Sequence, residues 1–340
     1  GVFRPVTRST AEPDFVLELL LSRDGVTLDY DECVGVSYEE VHENPDAALS
    51  RIVDRFKSVE RKCDAVIIVG SDYTDVATPT ELAFNARVAA NLGAPVLLVL
   101  AGREPDESRA RTADELRQVA ELALPELADA HASLLAIVAN RVEPELLDAV
   151  ADAVASVSGV PAWAIPEDPY LVAPTMSAVM GAVDGRLLKG DEALLAREVL
   201  GIVIAGMSME NVLPRIMEGA LVVIAGDRSE MLLAALTAHA SGTFPSLAGI
   251  VLNGGFELSP IIDRLIAGLD ETLPIVTTDF GTYETAQRIM QTRGRLTATA
   301  QRKIDTALAL FDKHVDAELL LRELGAGESS AVTPLMFEYG

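Results

Sequence analysis

Short apolar runs of four to six residues alternate along this chain with longer stretches in which apolar positions recur every three or four residues. That alternation predicts βαβ units and parallel sheets covered by helices, an α/β fold. In the first half the strand candidates are residues 2–6, 65–69, 95–100, 134–139 and 161–165. Helices are predicted over 45–62, 107–124 and 144–158, the last stopping before Gly159. Another is announced by Thr78-Pro79-Thr80-Glu81, a capping threonine, a proline at the first helical position and a glutamate at the capping-box position, and runs to Leu92 before Gly93.

Around Asp184 to Glu192 the sequence becomes polar and glycine-bearing, and a new apolar run begins at Leu200. The reading places a domain boundary there, with a first domain over 1–192, a second, smaller α/β domain over 193–324 and a linker over 325–340. The second unit repeats the rhythm, with strands at 201–205, 221–225, 249–252 and 274–277 and helices starting near Ser229, Ser259-Pro260 and Thr282. A final helix is predicted from about Thr299 to Leu324, where Ile304, Leu308, Phe311, Val315 and Leu319 share one face.

Length and composition agree with two folded domains: 340 residues, 49% of them hydrophobic, with a mean hydropathy of +0.27. The formal charge of -25 argues against a nucleic-acid or anionic-membrane surface, both of which reward a basic face. Cys33 and Cys63 are far apart and have neither a Cys-x-x-Cys spacing nor a nearby histidine, so they predict neither a disulfide framework nor a zinc site. No uninterrupted apolar run reaches the ~20 residues that span a bilayer, and cytoplasm is the expected location.

The residues that carry candidate chemistry stand at strand ends. Ala220 to Ala225 leads into Gly226-Asp227-Arg228, and Ile250 to Leu252 leads into Asn253-Gly254-Gly255. A glycine at such a turn lets backbone approach a ligand, Arg228 can fork onto a carboxylate or phosphate, and Asp227 can cap the following helix. The opposing reading has Asp227 capping, Arg228 in an ion pair and the glycines serving tight turns, and the sequence leaves both open. Gly70-Ser71-Asp72 ends another strand, but these residue types favour turns and no acidic partner accompanies them. The glycine spacing of Gly185 to Gly190 is followed by Asp191-Glu192, which would repel phosphate, so it reads as an inter-domain turn. The four histidines stand apart in sequence, no catalytic residue is assigned, and neither a cofactor nor a metal site is expected.

Asp227-Arg228 with Asn253-Gly254-Gly255 resembles the DRTGG module, with Asn253 where the name has threonine. Arg4-Pro5, 64–69, 92–98, 137–141 and 160–166 resemble, in order, strands of the dethiobiotin-synthetase-like branch of P-loop folds. The two together resemble the amino-terminal two-thirds of long-form bacterial phosphate acetyltransferase, and residues 332–339 look like the entry to its catalytic domain. The resemblance implies a P-loop-like domain lacking its phosphate loop, because the chain begins where the family's second strand would lie. It also places Arg4-Pro5 where the family has Lys-Pro and Gly70 where an acidic residue often ends a strand. ATP hydrolysis is therefore not expected. A non-catalytic regulatory and oligomerisation region is, with its own carboxyl-terminal catalytic domain, further copies of itself and a small-molecule effector such as NADH, pyruvate or phosphoenolpyruvate as partners. The rival readings are an ATP-dependent ligase of the dethiobiotin type and a purely structural dimerisation scaffold.

Overall fold

A computed structural model describes residues 1–9, 13–71, 81–104, 109–269, 273–294, 296 and 300–326. The chain forms two compact units, residues 1–167 with 296–340 and residues 168–295. The sequence boundary at 192/193 differs from this division for a physical reason. Met176, Val179 and Val183 pack in the core of the second unit, and the polar stretch that reads as a turn contains a strand paired to that unit's sheet.

In the first unit the strands are β1 (Val2–Thr7), β2 (Val34–Ser37), β3 (Ile67–Ile68), β4 (Val96–Ala101), β5 (Leu134–Val142) and β6 (Ala162–Pro166). They form two parallel sheets, ordered β2-β1-β3 and β4-β5-β6. Between them in sequence lie α1 (Phe15–Leu21), α2 (Tyr38–Glu43), α3 (Pro45–Glu60), α4 (Glu81–Leu92), α5 (Ala113–Asp129) and α6 (Leu147–Ser158). Helix α4 serves both sheets: Val88 and Leu92 join the β1–β2–α3 core, and Ala86 joins the core of β4, β5, α5 and α6. The Thr78-Pro79-Thr80 start signal for α4 lies outside the described residues.

The local causes of these elements are legible. Ser37 and Glu40 form a reciprocal capping box at α2, Thr112 and Glu115 form another at α5, and Gly159 closes α6 in the left-handed conformation. Arg4 on β1 pairs with Asp14 at 3.2 Å, both side chains largely buried, and donates to the Val69 and Gly70 carbonyls. Asp14 also caps α1 by accepting from the amides of Val16 and Leu17. Arg4 therefore ties the end of β3 and the start of α1 to β1.

The second unit contains α7 (Pro169–Val172), α8 (Met176–Ala182), β7 (Arg186–Lys189), β8 (Gly201–Ile204), α9 (Met209–Val212), β9 (Ala220–Ala225), α10 (Ser229–Ser241), β10 (Leu247–Asn253), α11 (Pro260–Ile266), β11 (Ile275–Thr277) and α12 (Thr282–Gln291). Its sheet is ordered β7-β11-β10-β9-β8, parallel except for the antiparallel edge strand β7. Both faces are covered, and β10 is buried along its whole length.

The predicted final helix is two helices of the first unit, α13 (Gln301–His314) and α14 (Ala317–Ala326). Val315 is extended, and Asp316 accepts from the Leu319 amide at 2.9 Å, restarting the helix. Among the described residues no helix is long and apolar enough to cross a membrane.

Candidate functional site

The two strand ends singled out in the sequence are neighbours in space. Strands β9 and β10 pair with Asn253 opposite Ala225, and the Gly226 amide donates to the Asn253 carbonyl at 2.9 Å. Gly254 and Gly255 both have positive φ, 90° and 69°, which a side chain would strain. Their amides donate to the carbonyls of Phe280 and Thr278, so the end of β10 is stitched to the segment that follows β11. A Cβ at Gly226 would stand 3.1 Å from Phe256 Cβ and 3.2 Å from the Asn253 carbonyl oxygen, so glycine there serves close packing of the two turns.

Arg228 is occupied within the chain. Its Nη1 donates to the carbonyls of Ala205 at 2.7 Å and Met207 at 3.1 Å, and its Nε pairs with Glu230 at 3.0 Å. The guanidinium thus clamps the turn after β8 onto the start of α10. Glu230 is held below the usual carboxylate range by its own backbone amide and then by Arg228. Asp227 is exposed, and the expectation that it caps α10 is corrected: Arg228 occupies the N-cap position and no side chain caps the helix.

Asn253 is 1% exposed, and among the described residues its Nδ2 has no hydrogen-bond partner. A buried amide donor without a partner costs about 1–3 kcal/mol, and such a group in a folded protein calls for a reason. Thr278 and Thr285 are buried as well, and with Asn253 they are all of the buried polar residues described in this unit. Thr278 Oγ1 donates to the Val183 carbonyl at 2.6 Å and accepts from the Phe280 amide, and Thr285 Oγ1 donates to the Phe280 carbonyl. Sequence reading did not foresee that either threonine is buried: Thr278 directly follows β11 and Thr285 lies on α12, and a threonine at such positions carries no signal of burial.

In the first unit Ser71 is held by Asn85, whose Oδ1 accepts from the Ser71 amide and whose Nδ2 donates to the Ser71 carbonyl. Asp72 lies outside the described residues. A charge network at the ends of β4 to β6 was also not foreseen: Arg103 and Arg141 both pair with Glu167, and Arg103 reaches Glu143. These four residues come from three strand ends, a juxtaposition that spacing in sequence does not reveal. Among the described residues no cluster of histidine, cysteine and carboxylate groups could hold a metal ion.

Comparison with known proteins matches residues 1–175 to the AAA domain family and residues 178–292 to the DRTGG domain family. Phosphate acetyltransferase of Nitratidesulfovibrio vulgaris is 30% identical, with 99% of this chain and 49% of that protein covered. The Synechocystis enzyme of the same name is 26% identical, again covering 99% of this chain and 49% of the relative. That of Nitrosomonas europaea is 24% identical over 86% of this chain and 42% of its own length. This chain spans about half the length of these relatives, which corrects the two-thirds expected from resemblance. A solved structure of the CBS and DRTGG domains of the regulatory region of Clostridium perfringens pyrophosphatase, complexed with its activator diadenosine tetraphosphate, shares 13% identity and a TM-score of 0.30 over 58% of this chain and 75% of that one. At that level the likeness carries no argument. The chain belongs to the AAA domain family over residues 1–175 and joins that domain to a DRTGG domain, in the arrangement of the amino-terminal region of long-form phosphate acetyltransferase.

Proposed function

We propose that this chain is the regulatory and oligomerisation region of a cytoplasmic phosphate acetyltransferase, the enzyme that interconverts acetyl-CoA and phosphate with acetyl phosphate and CoA. The chemistry is carried by a catalytic domain outside residues 1–340, and this region responds to a metabolite. The observation that carries the reading is similarity along 99% of the chain to phosphate acetyltransferases of which it covers about half. The strand ends of the second unit support the sensing half: a buried amide without a partner among the described residues stands next to two glycines of positive φ.

Assembly with further copies is supported by the outward face of α11. Ile261 and Leu265 are 74% and 50% exposed, one helical turn apart, with Leu269 and Phe256 exposed nearby. Apolar side chains grouped in this way mark association surfaces.

A thermal-shift series against NADH, pyruvate, phosphoenolpyruvate, ATP and acetyl-CoA tests the sensing role. A ligand at 100 times its Kd adds ~2.7 kcal/mol of stability. Stabilisation by one of the metabolites is the expected outcome, and no shift with any of them would leave only the scaffold reading.

A further inference from the structure

The unpartnered amide of Asn253 stands beside a helix start that no side chain caps. Helix α12 has Gly281 at its N-cap, so the amides of Thr282, Tyr283 and Glu284 have neither an acceptor within the helix nor a capping side chain. The Gly254 amide donates to the Phe280 carbonyl at 2.8 Å, which fixes the start of α12 at the end of β10. Farther along, Ile289 of α12 joins the core that contains Val223 of β9 and Val251 of β10, so the helix covers this face of the sheet.

Because side chains alternate along a strand, Asn253 faces the same side as Val251, the side whose core includes Ile289 of α12. Asn253 directly precedes Gly254, which is bonded to Phe280, the residue before the N-cap Gly281. The buried donor and the uncapped start of the helix therefore stand at the same end of the sheet, near Thr278 and Thr285.

We propose that this place is an oxyanion site, in which Asn253 Nδ2 and the first-turn amides of α12 hold one carboxylate or phosphoryl group of a small metabolite. All the donors are neutral, and the positive end of the helix supplies the charge preference. Arg288 of the same helix is engaged within the chain, paired with Glu284 and Asp184, bonded to the Ala182 carbonyl and packed 3.9 Å from the centre of the Phe280 ring, so it is not counted among the donors. Glu284 is paired with Arg288, which offsets the charge of its carboxylate at the start of α12. Arg228, engaged with Ala205, Met207 and Glu230, is not among the ligand's partners.

This assignment rests on the reading of the chain as a metabolite-responsive region and names the chemistry of its site. The test is calorimetric titration of the chain with inorganic phosphate, the phosphoryl probe, and with pyruvate, the carboxylate probe, and with NADH and ATP in parallel. Wild-type protein is expected to bind at least one of the first two, and which one binds distinguishes phosphoryl from carboxylate recognition. Asn253→Leu, which removes the donor while keeping bulk, should weaken that binding at least tenfold, and Asn253→Asp, which adds a charge of the ligand's own sign, should weaken it further. In protein labelled with ¹⁵N at asparagine, the Asn253 side-chain amide should shift on saturation, a readout that needs no variant to fold. Unaltered binding in both variants and an unmoved amide would overturn the oxyanion site while leaving the regulatory reading intact. Failure of both simple probes would also overturn it, and NADH and ATP would then decide separately whether the region senses any metabolite.

Discussion

Replacing Arg228 with alanine should destabilise the second unit by about 2 kcal/mol, whether or not a ligand is present. The Ala205 carbonyl belongs to a residue that is 4% exposed, and removing its charged donor leaves it unsatisfied at a cost of about 1–3 kcal/mol. Met207 is exposed, so water replaces the second bond at little cost. The Glu230 pair is also solvent-facing and contributes about 0–1 kcal/mol. Equilibrium urea unfolding measures the difference directly. Arg228→Lys, retaining the charge but not the fork, should fall between wild type and the alanine variant, and Glu230→Ala should stay within about 0.5 kcal/mol of wild type. If Arg228→Ala unfolds within about 0.5 kcal/mol of wild type yet loses metabolite binding, Arg228 is a ligand and the clamp assigned here is wrong.

In the first unit, Asp14→Ala removes the counter-charge of a buried arginine and a helix cap, so it should cost about 3–5 kcal/mol in the same assay. Asp114→Ala, which breaks an exposed pair with Arg117, should cost under about 1 kcal/mol. Burial, and secondarily the charge of Glu32, pushes the Cys33 thiol up to about 11 from its ordinary value of 9.0. Its contribution to stability is therefore complete below pH 9 and disappears as pH rises towards 11, so wild type should lose more stability over that interval than Cys33→Ala. Substituting aspartate at both Ile261 and Leu265 should lower the mass of the assembly in sedimentation without lowering the melting temperature of the separated copies, and an unchanged mass would remove α11 from the interface.

Much of the architecture is written locally. The cores of β5, β9 and β10 are uninterrupted apolar runs, and each is bounded by turn residues, so periodicity alone finds them. Strand β2 escapes because Val34-Gly35-Val36-Ser37 is too short to display a period. Strand β7 escapes because its residues are half polar and only pairing with β11 makes Arg186–Lys189 a strand. The break between α13 and α14 leaves the helical period unbroken, and its one signal is Asp316 acting as a cap. At the site, adjacency of the two glycine turns follows from the pairing of β9 with β10, which the sequence leaves open. The occupation of Arg228 by carbonyls 21 and 23 residues away, and the burial of Thr278 and Thr285, are tertiary facts with no local trace.

The most direct test of a regulatory region is kinetic: acetyl phosphate formation by the whole phosphate acetyltransferase, with and without residues 1–340, in the presence and absence of NADH, pyruvate and phosphoenolpyruvate. The account predicts that the shortened enzyme keeps its chemistry and loses its response to the metabolite that binds this chain. A shortened enzyme that responds as before, or residues 1–340 alone forming acetyl phosphate, would contradict it.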